Sequence, residues 1–372
     1  MPTATAPPIP ESVWQAFEEG SRQACARVVT RVENEPDLIP SIRQRLAGKL
    51  GKAIRIGITG PPGVGKSSLT AAIARGLAEG GHRVGVIAVD PSSPFTGGAF
   101  MGDRVRMDAL AGDSRIYIRS LASRDGHGGL SPATPHVADV IEGFGMDRLL
   151  IETVGVGQAE IDVLACADLV VLVLQPGTGD MIQTLKAGII EAADLIVVNK
   201  SDLPGVDSVV QSLRFLFSLS TKRKDGKTKD PEILPAPLAS TPQRPNAVPA
   251  NTPIPQHPNS RVPPPLLTAS AQRNEGIDKL VVEIEKLSSY LVASGRHREL
   301  RRERLAQEIR EGIRKRLWRR FAELTGVEAE IEDIVAALLD SGGSPFAEID
   351  RLCERVSMHL VGRSDKERPR RP

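Results

Sequence analysis

Cysteine and aromatic residues are scarce in this chain of 372 residues, which has 3 Cys, 8 Phe, 2 Trp and 2 Tyr. So few cysteines cannot build a disulfide framework or a clustered structural zinc site. Cys25, Cys166 and Cys353 each lie in an apolar, helical or strand-like context. We therefore expect three reduced thiols in the core of a cytoplasmic protein.

Net charge and long hydrophobic runs are also lacking. The 48 Lys and Arg residues nearly balance the 46 Asp and Glu residues, so the net charge of +2 provides no global field for nucleic acid or an anionic membrane. The apolar run at residues 169–174 has the length of a buried strand and is far shorter than the roughly 20 residues of a membrane helix. The N-terminal residues MPTATAPPIPES contain no basic n-region or apolar h-region, which predicts no secretory signal.

Proline is abundant but unevenly distributed, since 12 of the 29 prolines fall between residues 231 and 265. This composition predicts an insertion loop, placed at residues 221–265, within a main domain at residues 53–292. Residues 1–11 read as disordered, and residues 12–52 show the apolar spacing of two amphipathic helices. Residues 293–372 read as a helical region with a disordered tail.

Short β-branched runs alternate with helix-length segments through the main domain. Consecutively apolar strands of this kind belong to a parallel sheet that is covered on both faces. The predicted fold class is therefore α/β, with a doubly wound, mostly parallel sheet, N-terminal helices and an all-helical C-terminal region. Its ligand should bind at the carboxyl ends of the strands. The predicted strands are residues 54–59, 84–89, 116–118, 149–151, 169–174, 195–198 and 266–268.

A phosphate-binding motif follows the first predicted strand. The pattern G-x-x-x-x-G-K-[ST] is matched in full, with a helix-like segment after it. Its glycines let backbone N–H groups face the phosphates, its lysine reaches the β- and γ-phosphates, and its serine hydroxyl binds Mg²⁺. The predicted phosphate site comprises Gly60, Pro61, Pro62, Gly63, Val64, Gly65, Lys66 and Ser67, with Ser68 next to it.

Three acidic residues are candidates for a Mg²⁺ site together with Ser67. Asp90 ends the second strand, Asp103 lies in the loop GGAFMGDRVRM, and Glu152 ends the fourth strand in a Walker-B-like position. Mg²⁺ needs few protein oxygens because it keeps several waters. An acidic residue in such a position, taken alone, is about as often a turn or helix-cap residue as a metal ligand.

The segment after Glu152 resembles a nucleotide-sensing switch. The Gly155 N–H is placed to bond the γ-phosphate and to move when that phosphate leaves. Gln158 belongs to the same segment, but it lies three residues past Gly155, so we assign it no part in hydrolysis.

The tetrapeptide Asn199-Lys200-Ser201-Asp202 follows the sixth strand. An Asp carboxylate there accepts hydrogen bonds from both N1–H and the exocyclic amine of guanine, a pair that adenine cannot offer. Downstream of a phosphate loop, this motif favours GTP over ATP. Ser270 and Ala271, after the last predicted strand, are candidates for the backbone contact to guanine O6.

The C-terminal region combines basic charge with an apolar stripe. Residues 296–320 contain 11 Arg or Lys against 4 Glu. A basic helix suits nucleic acid or acidic lipid, but apolar residues also recur every four positions. A helix that packs on a second subunit explains both its apolar face and its basic face. We therefore favour dimerisation over binding to nucleic acid or a membrane. The stripe consists of Leu305, Ile309, Ile313, Leu317 and Phe321.

The assembled motifs resemble the MeaB/ArgK family of P-loop GTPases, the chaperones of adenosylcobalamin-dependent methylmalonyl-CoA mutase. The resemblance covers about residues 17–290 without the proline-rich stretch, and it rests on GSRQACARVVTRVEN, RIGITGPPGVGKSSL, VIAVDPSSPFTGGAFMGDRVRM, ETVGVGQAEIDV, QPGTGDMIQTLKAGIIEAADLIVVNKSD and LLTASAQRNEGIDKL. It implies a GTPase that is slow without its partner, uses Mg²⁺, gates cofactor delivery to the mutase and protects or reactivates that enzyme.

The resemblance also assigns roles to single residues. Lys66, Asp90, Asp103 and Glu152 would organise Mg²⁺ and the attacking water. Asp180 and Lys186 match the acid and the lysine of a further switch that signals nucleotide state to the mutase. The family's C-terminal arms build dimers, which agrees with the apolar stripe.

Two other functions stay open at this stage. One is an ATP-dependent kinase of arginine and ornithine transport, against which the guanine-reading motif argues. The other is a nucleotide-regulated binding module with negligible turnover, since no glutamine lies beside Gly155. The wording PSSPF and the long proline-rich stretch also depart from the family pattern, so the client is either methylmalonyl-CoA mutase or a related acyl-CoA mutase.

Overall fold

The computed structural model describes residues 8–91, 110, 112–123, 130–153, 159–177, 187–224, 263–341 and 344–364. The chain divides into two compact units, Met1–Arg301 and Arg302–Pro372. In the described residues, no helix combines the length and the apolar character needed to cross a bilayer.

A seven-stranded parallel sheet forms the centre of the first unit, in the order β3-β2-β4-β1-β5-β6-β7. The predicted doubly wound parallel sheet is therefore confirmed. Its strands are β1 Ile54–Thr59, β2 Val84–Pro91, β3 Ile116–Ser123, β4 Arg148–Glu152, β5 Leu169–Leu174, β6 Leu195–Val198 and β7 Leu266–Thr268.

Nine α-helices of the described residues lie wholly in the first unit. They are α1 Glu11–Glu18, α2 Arg22–Asn34, α3 Ile39–Leu46, α4 Lys66–Glu79, α5 Thr134–Gly143, α6 Ala159–Cys166, α7 Ala187–Ala192, α8 Val206–Lys224 and α9 Ile277–Ala293. Helix α10 Arg296–Thr325 continues into the second unit, where α11 Val327–Ser341 and α12 Pro345–Ser364 follow it.

Helices cover both faces of the sheet because its strands are apolar on both sides. Ile87 and Val89 of β2 pack with the N-terminal helices and α5 in one cluster of buried side chains. Val84 and Val86 of the same strand pack with α4 and α9 in a second cluster. A third cluster joins β5 and β6 to α7 and α8.

The N-terminal segment contains three α-helices, so the prediction of two is wrong. Helix α1 ends at a turn where Gly20 has a φ of 87°, and the Ser21 hydroxyl then caps α2 by accepting from the Ala24 N–H at 3.3 Å. Pro36 starts a 3₁₀ turn and Pro40 lies in the first turn of α3. Both prolines lack a donor for a continuous helix but fit a helix start.

Two further expectations change with the structure. Cys25 and Cys166 are buried as predicted, but Cys353 is exposed on α12, so the expectation of a third core thiol is wrong. Helix α8 extends to Lys224 and includes the first four residues of the predicted insertion. Residues 225–262, the greater part of that insertion, lie outside the described residues, and the domain boundaries stay predictions.

A buried arginine links the beginning of β1 to several other elements. The Arg55 guanidinium lies 2.6 Å from an Asp139 oxygen and 3.2 Å from a Glu142 oxygen, both on α5. Its backbone N–H donates to Asp168 at 2.8 Å, just before β5. Burial alone would lower the pKa of Arg55, but the charges of Asp139, Glu142 and Asp168 raise it above its usual range. We call these four residues the Arg55 cluster.

Candidate functional site

The phosphate loop at residues 60–67 connects β1 to α4, and its path depends on two glycines. Gly60 has a φ of 143°, and a Cβ there would overlap the carbonyl oxygen of Val173 on β5. Gly65 has a φ of 89°, and a Cβ there would lie 2.6 Å from the Asn199 amide nitrogen. Only glycine fits both the left-handed conformation and the close approach.

Lys66 and Ser67 begin α4, where the helix dipole favours an anion. The buried Lys66 ammonium donates to the carbonyl oxygens of Gly60 at 2.9 Å and Pro61 at 3.0 Å. The lysine therefore crosses its own loop and lies where the motif predicts the phosphates.

A hydroxyl and a carboxylate meet below the phosphate loop. The Ser67 hydroxyl donates to a Glu152 carboxylate oxygen at 2.6 Å, and both side chains are buried. Parallel pairing brings them together, because Glu152 pairs with Ile58 of β1, just before the phosphate loop. A buried carboxylate beside a hydroxyl is a donor set that suits Mg²⁺, which takes oxygen ligands and keeps several waters.

The other two predicted metal residues are not placed with the same detail. The backbone of Asp90 lies in β2, two residues past Ala88, which pairs with Glu152. The side chain of Asp90 and all of Asp103 lie outside the described residues. In the part of the chain that is described, no group of three or more His, Cys, Asp or Glu side chains could hold a metal ion by itself.

The Asn199 side chain bridges the phosphate loop and the loop that follows β7. Its amide donates to the Val64 carbonyl at 2.9 Å, and its oxygen accepts from the Ala271 N–H at 3.2 Å. The neighbouring Lys200, held at a φ of 56°, donates to the Gly63 carbonyl at 2.7 Å. The predicted phosphate and base residues therefore form one connected site.

Asp202 is held by a side chain from across the sheet edge. The Ser270 hydroxyl donates to one Asp202 oxygen at 2.6 Å and accepts from the Arg273 N–H at 3.3 Å. The Ser270 bond holds the pKa of the Asp202 carboxyl below its usual value, and the charges of Arg273 and Lys200 act in the same direction. The carboxylate is thus ionised at neutral pH, as a group that accepts two N–H bonds must be.

The structure connects residues that the motifs name separately, but it does not cover all of them. Gly155, Gln158, Asp180 and Lys186 lie outside the described residues, so their switch roles stay predictions. Sequence reasoning missed that the Ser270 hydroxyl binds Asp202, because it assigned Ser270 only a backbone contact. It also missed Arg55, although a charged residue inside the apolar strand IRIGIT is a signal for a buried partner.

Comparison with known proteins now decides the family. The family model described as methylmalonyl-CoA mutase-associated GTPase MeaB matches residues 25–325. This chain belongs to the MeaB family. It is therefore a GTPase that binds guanine nucleotides, as the phosphate loop and the guanine-reading motif predicted.

Individual relatives agree with this membership. A Pyrococcus abyssi protein is 34% identical over 347 residues, covering 93% of this chain and 96% of its own length. GTPase ArgK of Escherichia coli K12 is 31% identical over 299 residues, covering 79% of this chain and 80% of its own. A crystal structure described as an LAO/AO transport system kinase superposes with a TM-score of 0.61 at 24% identity, over 93% of this chain and 97% of its own, which supports the fold.

We predict that Asn199→Ala weakens GDP binding by about tenfold, since it removes two bridging hydrogen bonds and leaves the Ala271 N–H without this acceptor. Isothermal titration with GDP measures the effect. The control is Asn34→Ala, which removes an exposed amide from α2. Wild-type affinity in a folded Asn199→Ala protein would contradict the bridging role.

Proposed function

We propose that this MeaB-family GTPase is a Mg²⁺-dependent chaperone of an adenosylcobalamin-dependent mutase, either methylmalonyl-CoA mutase or a related acyl-CoA mutase. GTP hydrolysis would gate cofactor delivery and protect or reactivate the mutase. The observation that carries the proposal is the Asn199 bridge, which connects the phosphate loop to the loop after β7, where Ser270 holds the base-reading Asp202, within a family named for this mutase.

A mammalian relative supports the choice of partner. The mouse protein named methylmalonic aciduria type A homolog, mitochondrial, is 39% identical over 242 residues, covering 60% of this chain and 58% of its own length. Its name refers to methylmalonic aciduria. That name and the family description both favour a mutase client over a transport substrate.

The proposed chemistry rests on the positions of three side chains, Lys66, Ser67 and Glu152. Lys66 and the first turn of α4 would bind the β- and γ-phosphates, and Ser67 would supply a ligand to Mg²⁺. When bound, Mg²⁺ neutralises charge on the phosphate oxygens. Glu152 accepts from Ser67 and would fix that hydroxyl toward the metal, with Asp90 and Asp103 as further members of the predicted site. Turnover should be slow without a partner, because no glutamine lies beside Gly155.

Base selection provides the first test. Wild-type protein should bind GDP at least about a hundredfold more tightly than ADP, because Asp202 accepts two bonds that only guanine offers. Asp202→Asn should lose GDP affinity by a similar factor and prefer xanthosine diphosphate, whose 2-oxo group accepts from the new amide. Titration of fluorescent nucleotides measures the affinities for GDP, ADP and xanthosine diphosphate.

The control for base selection is Asp278→Asn, which removes an exposed acid from the first turn of α9. It should leave base preference unchanged. Tight ADP binding by the wild type would contradict the guanine assignment and favour the ATP-dependent kinase.

Partner stimulation provides the second test. Mixing with the methylmalonyl-CoA mutase of the same organism should raise GTP turnover by at least about tenfold, because a partner that completes the catalytic site of a GTPase accelerates hydrolysis by more than this. Phosphate release measures turnover, and Lys66→Ala should abolish both basal and stimulated rates. Lack of both stimulation and co-elution with the mutase would contradict the partner assignment, whereas unchanged turnover with co-elution would favour a binding module.

The C-terminal unit supports a proposed homodimer. Leu305, Ile309, Ile313 and Leu317 of α10 are 46%, 62%, 53% and 64% exposed in the single chain. Single exposed apolar residues are ordinary, but a continuous stripe at helical spacing is typical of an interface. The stripe is flanked by the basic residues of α10, which stay in water when the apolar side packs on a second copy.

We expect Ile309→Asp to convert the dimer to a monomer in sedimentation velocity, since it buries a charge in the stripe. Arg310→Asp introduces the same carboxylate one residue away, off the stripe, and should leave the dimer intact. A wild-type monomer, or equal behaviour of the two variants, would contradict the interface.

A further inference from the structure

The loop that carries Ser270 and Ala271 is closed by its own backbone. The Ser270 N–H donates to the Glu275 carbonyl at 2.9 Å, and the Glu275 N–H donates back to Ser270 at 3.1 Å. Asn274 turns the chain with a φ of 56°. Arg273 lies between the two paired residues, so the hydrogen bonds of Ser270 with Glu275 hold its backbone in position. We therefore expect its side chain, and not its backbone, to move when a ligand binds.

The Arg273 side chain faces the base-reading carboxylate. Its Nε lies 4.0 Å from Oδ2 of Asp202, whereas the Ser270 hydroxyl binds Oδ1 of the same carboxylate. One oxygen of Asp202 therefore accepts a hydrogen bond from Ser270, and the other faces Arg273 at ion-pair distance. A guanine that donates N1–H and its exocyclic amine to Asp202 must reach this same carboxylate.

Exposure shows which group lies on the outside. The Arg273 side chain is 59% exposed, and the Asp202 side chain is only 14% exposed. The guanidinium is therefore the exposed member of this ion pair, and the carboxylate is its buried member. Asp202 contacts the fully buried Ser270 through one oxygen and the exposed Arg273 through the other.

We propose that Arg273 competes with the base for Asp202: it is a counter-ion of this carboxylate, and guanine must displace it. The inference rests on the proposed role of Asp202 in reading guanine. Exposed ion pairs contribute little, so the competition should weaken nucleotide binding by only about threefold. An arginine that stacked on the base would have the opposite effect on nucleotide affinity, since stacking strengthens binding.

The test compares Arg273→Ala with Lys279→Ala, which removes the same charge from the exposed surface of α9. Both variants lose long-range attraction for an anionic nucleotide, so their difference isolates the contact with Asp202. Stopped-flow binding of fluorescent GDP at low salt should show Arg273→Ala about threefold tighter than Lys279→Ala, with a faster on-rate. The difference should shrink at high salt because the exposed pair is screened.

Two further variants separate competition from a structural effect. Arg273→Lys keeps the charge and should restore wild-type affinity. In the Asp202→Asn background the carboxylate charge is gone, so adding Arg273→Ala should not tighten xanthosine diphosphate binding. Equal or weaker GDP binding by Arg273→Ala than by Lys279→Ala would overturn the proposal, as would tightening in the Asp202→Asn background. A wild type that does not prefer GDP to ADP would instead refute the underlying role of Asp202.

Discussion

The buried charge of Arg55 holds together elements that are far apart in the sequence. Asp139 and Glu142 bring α5 to the beginning of β1, and Arg43 of α3 reaches the same Asp139 at 2.9 Å. Glu142 also accepts backbone N–H groups of the segment that enters β1, including Lys52 at 2.7 Å. A buried charge of this kind adds little net stability when paired, but losing one partner costs roughly 3–5 kcal/mol. The cluster therefore fixes which arrangement of helices around β1 is allowed.

The nucleotide site lies at the opposite end of the same strand, where β1 leads into the phosphate loop. There the contacts are mostly short polar bonds, namely Ser67 to Glu152, Asn199 to the phosphate loop and the loop after β7, and Ser270 to Asp202, beside the longer ion pair of Asp202 with Arg273. These bonds hold the phosphate loop, the segment after β6 and the loop after β7 together, so the residues predicted to bind phosphate and base lie at one edge of the sheet.

Local patterns were sufficient for most of the sheet. The predicted strands at residues 54–59, 169–174, 195–198 and 266–268 match the structure to the residue, because each is a short apolar run ended by a turn or a polar residue. Strand β3 extends five residues beyond its prediction of 116–118. Arg119 interrupts the apolar run, yet it stays in the strand because it pairs with Glu33 of α2.

The composition and motifs of the chain are enough to assign a parallel α/β fold, a phosphate loop and a preference for guanine, since each depends on residues close together in the sequence. Contacts between distant segments decided the rest. Three contacts join the end of β6 to the end of β7 or to the phosphate loop. They are the hydrogen bond from Ser270 to Asp202, the bridge made by Asn199 and the ion pair of Arg273 with Asp202. These segments are more than 60 residues apart in sequence, and only the parallel order of the sheet places them at one edge.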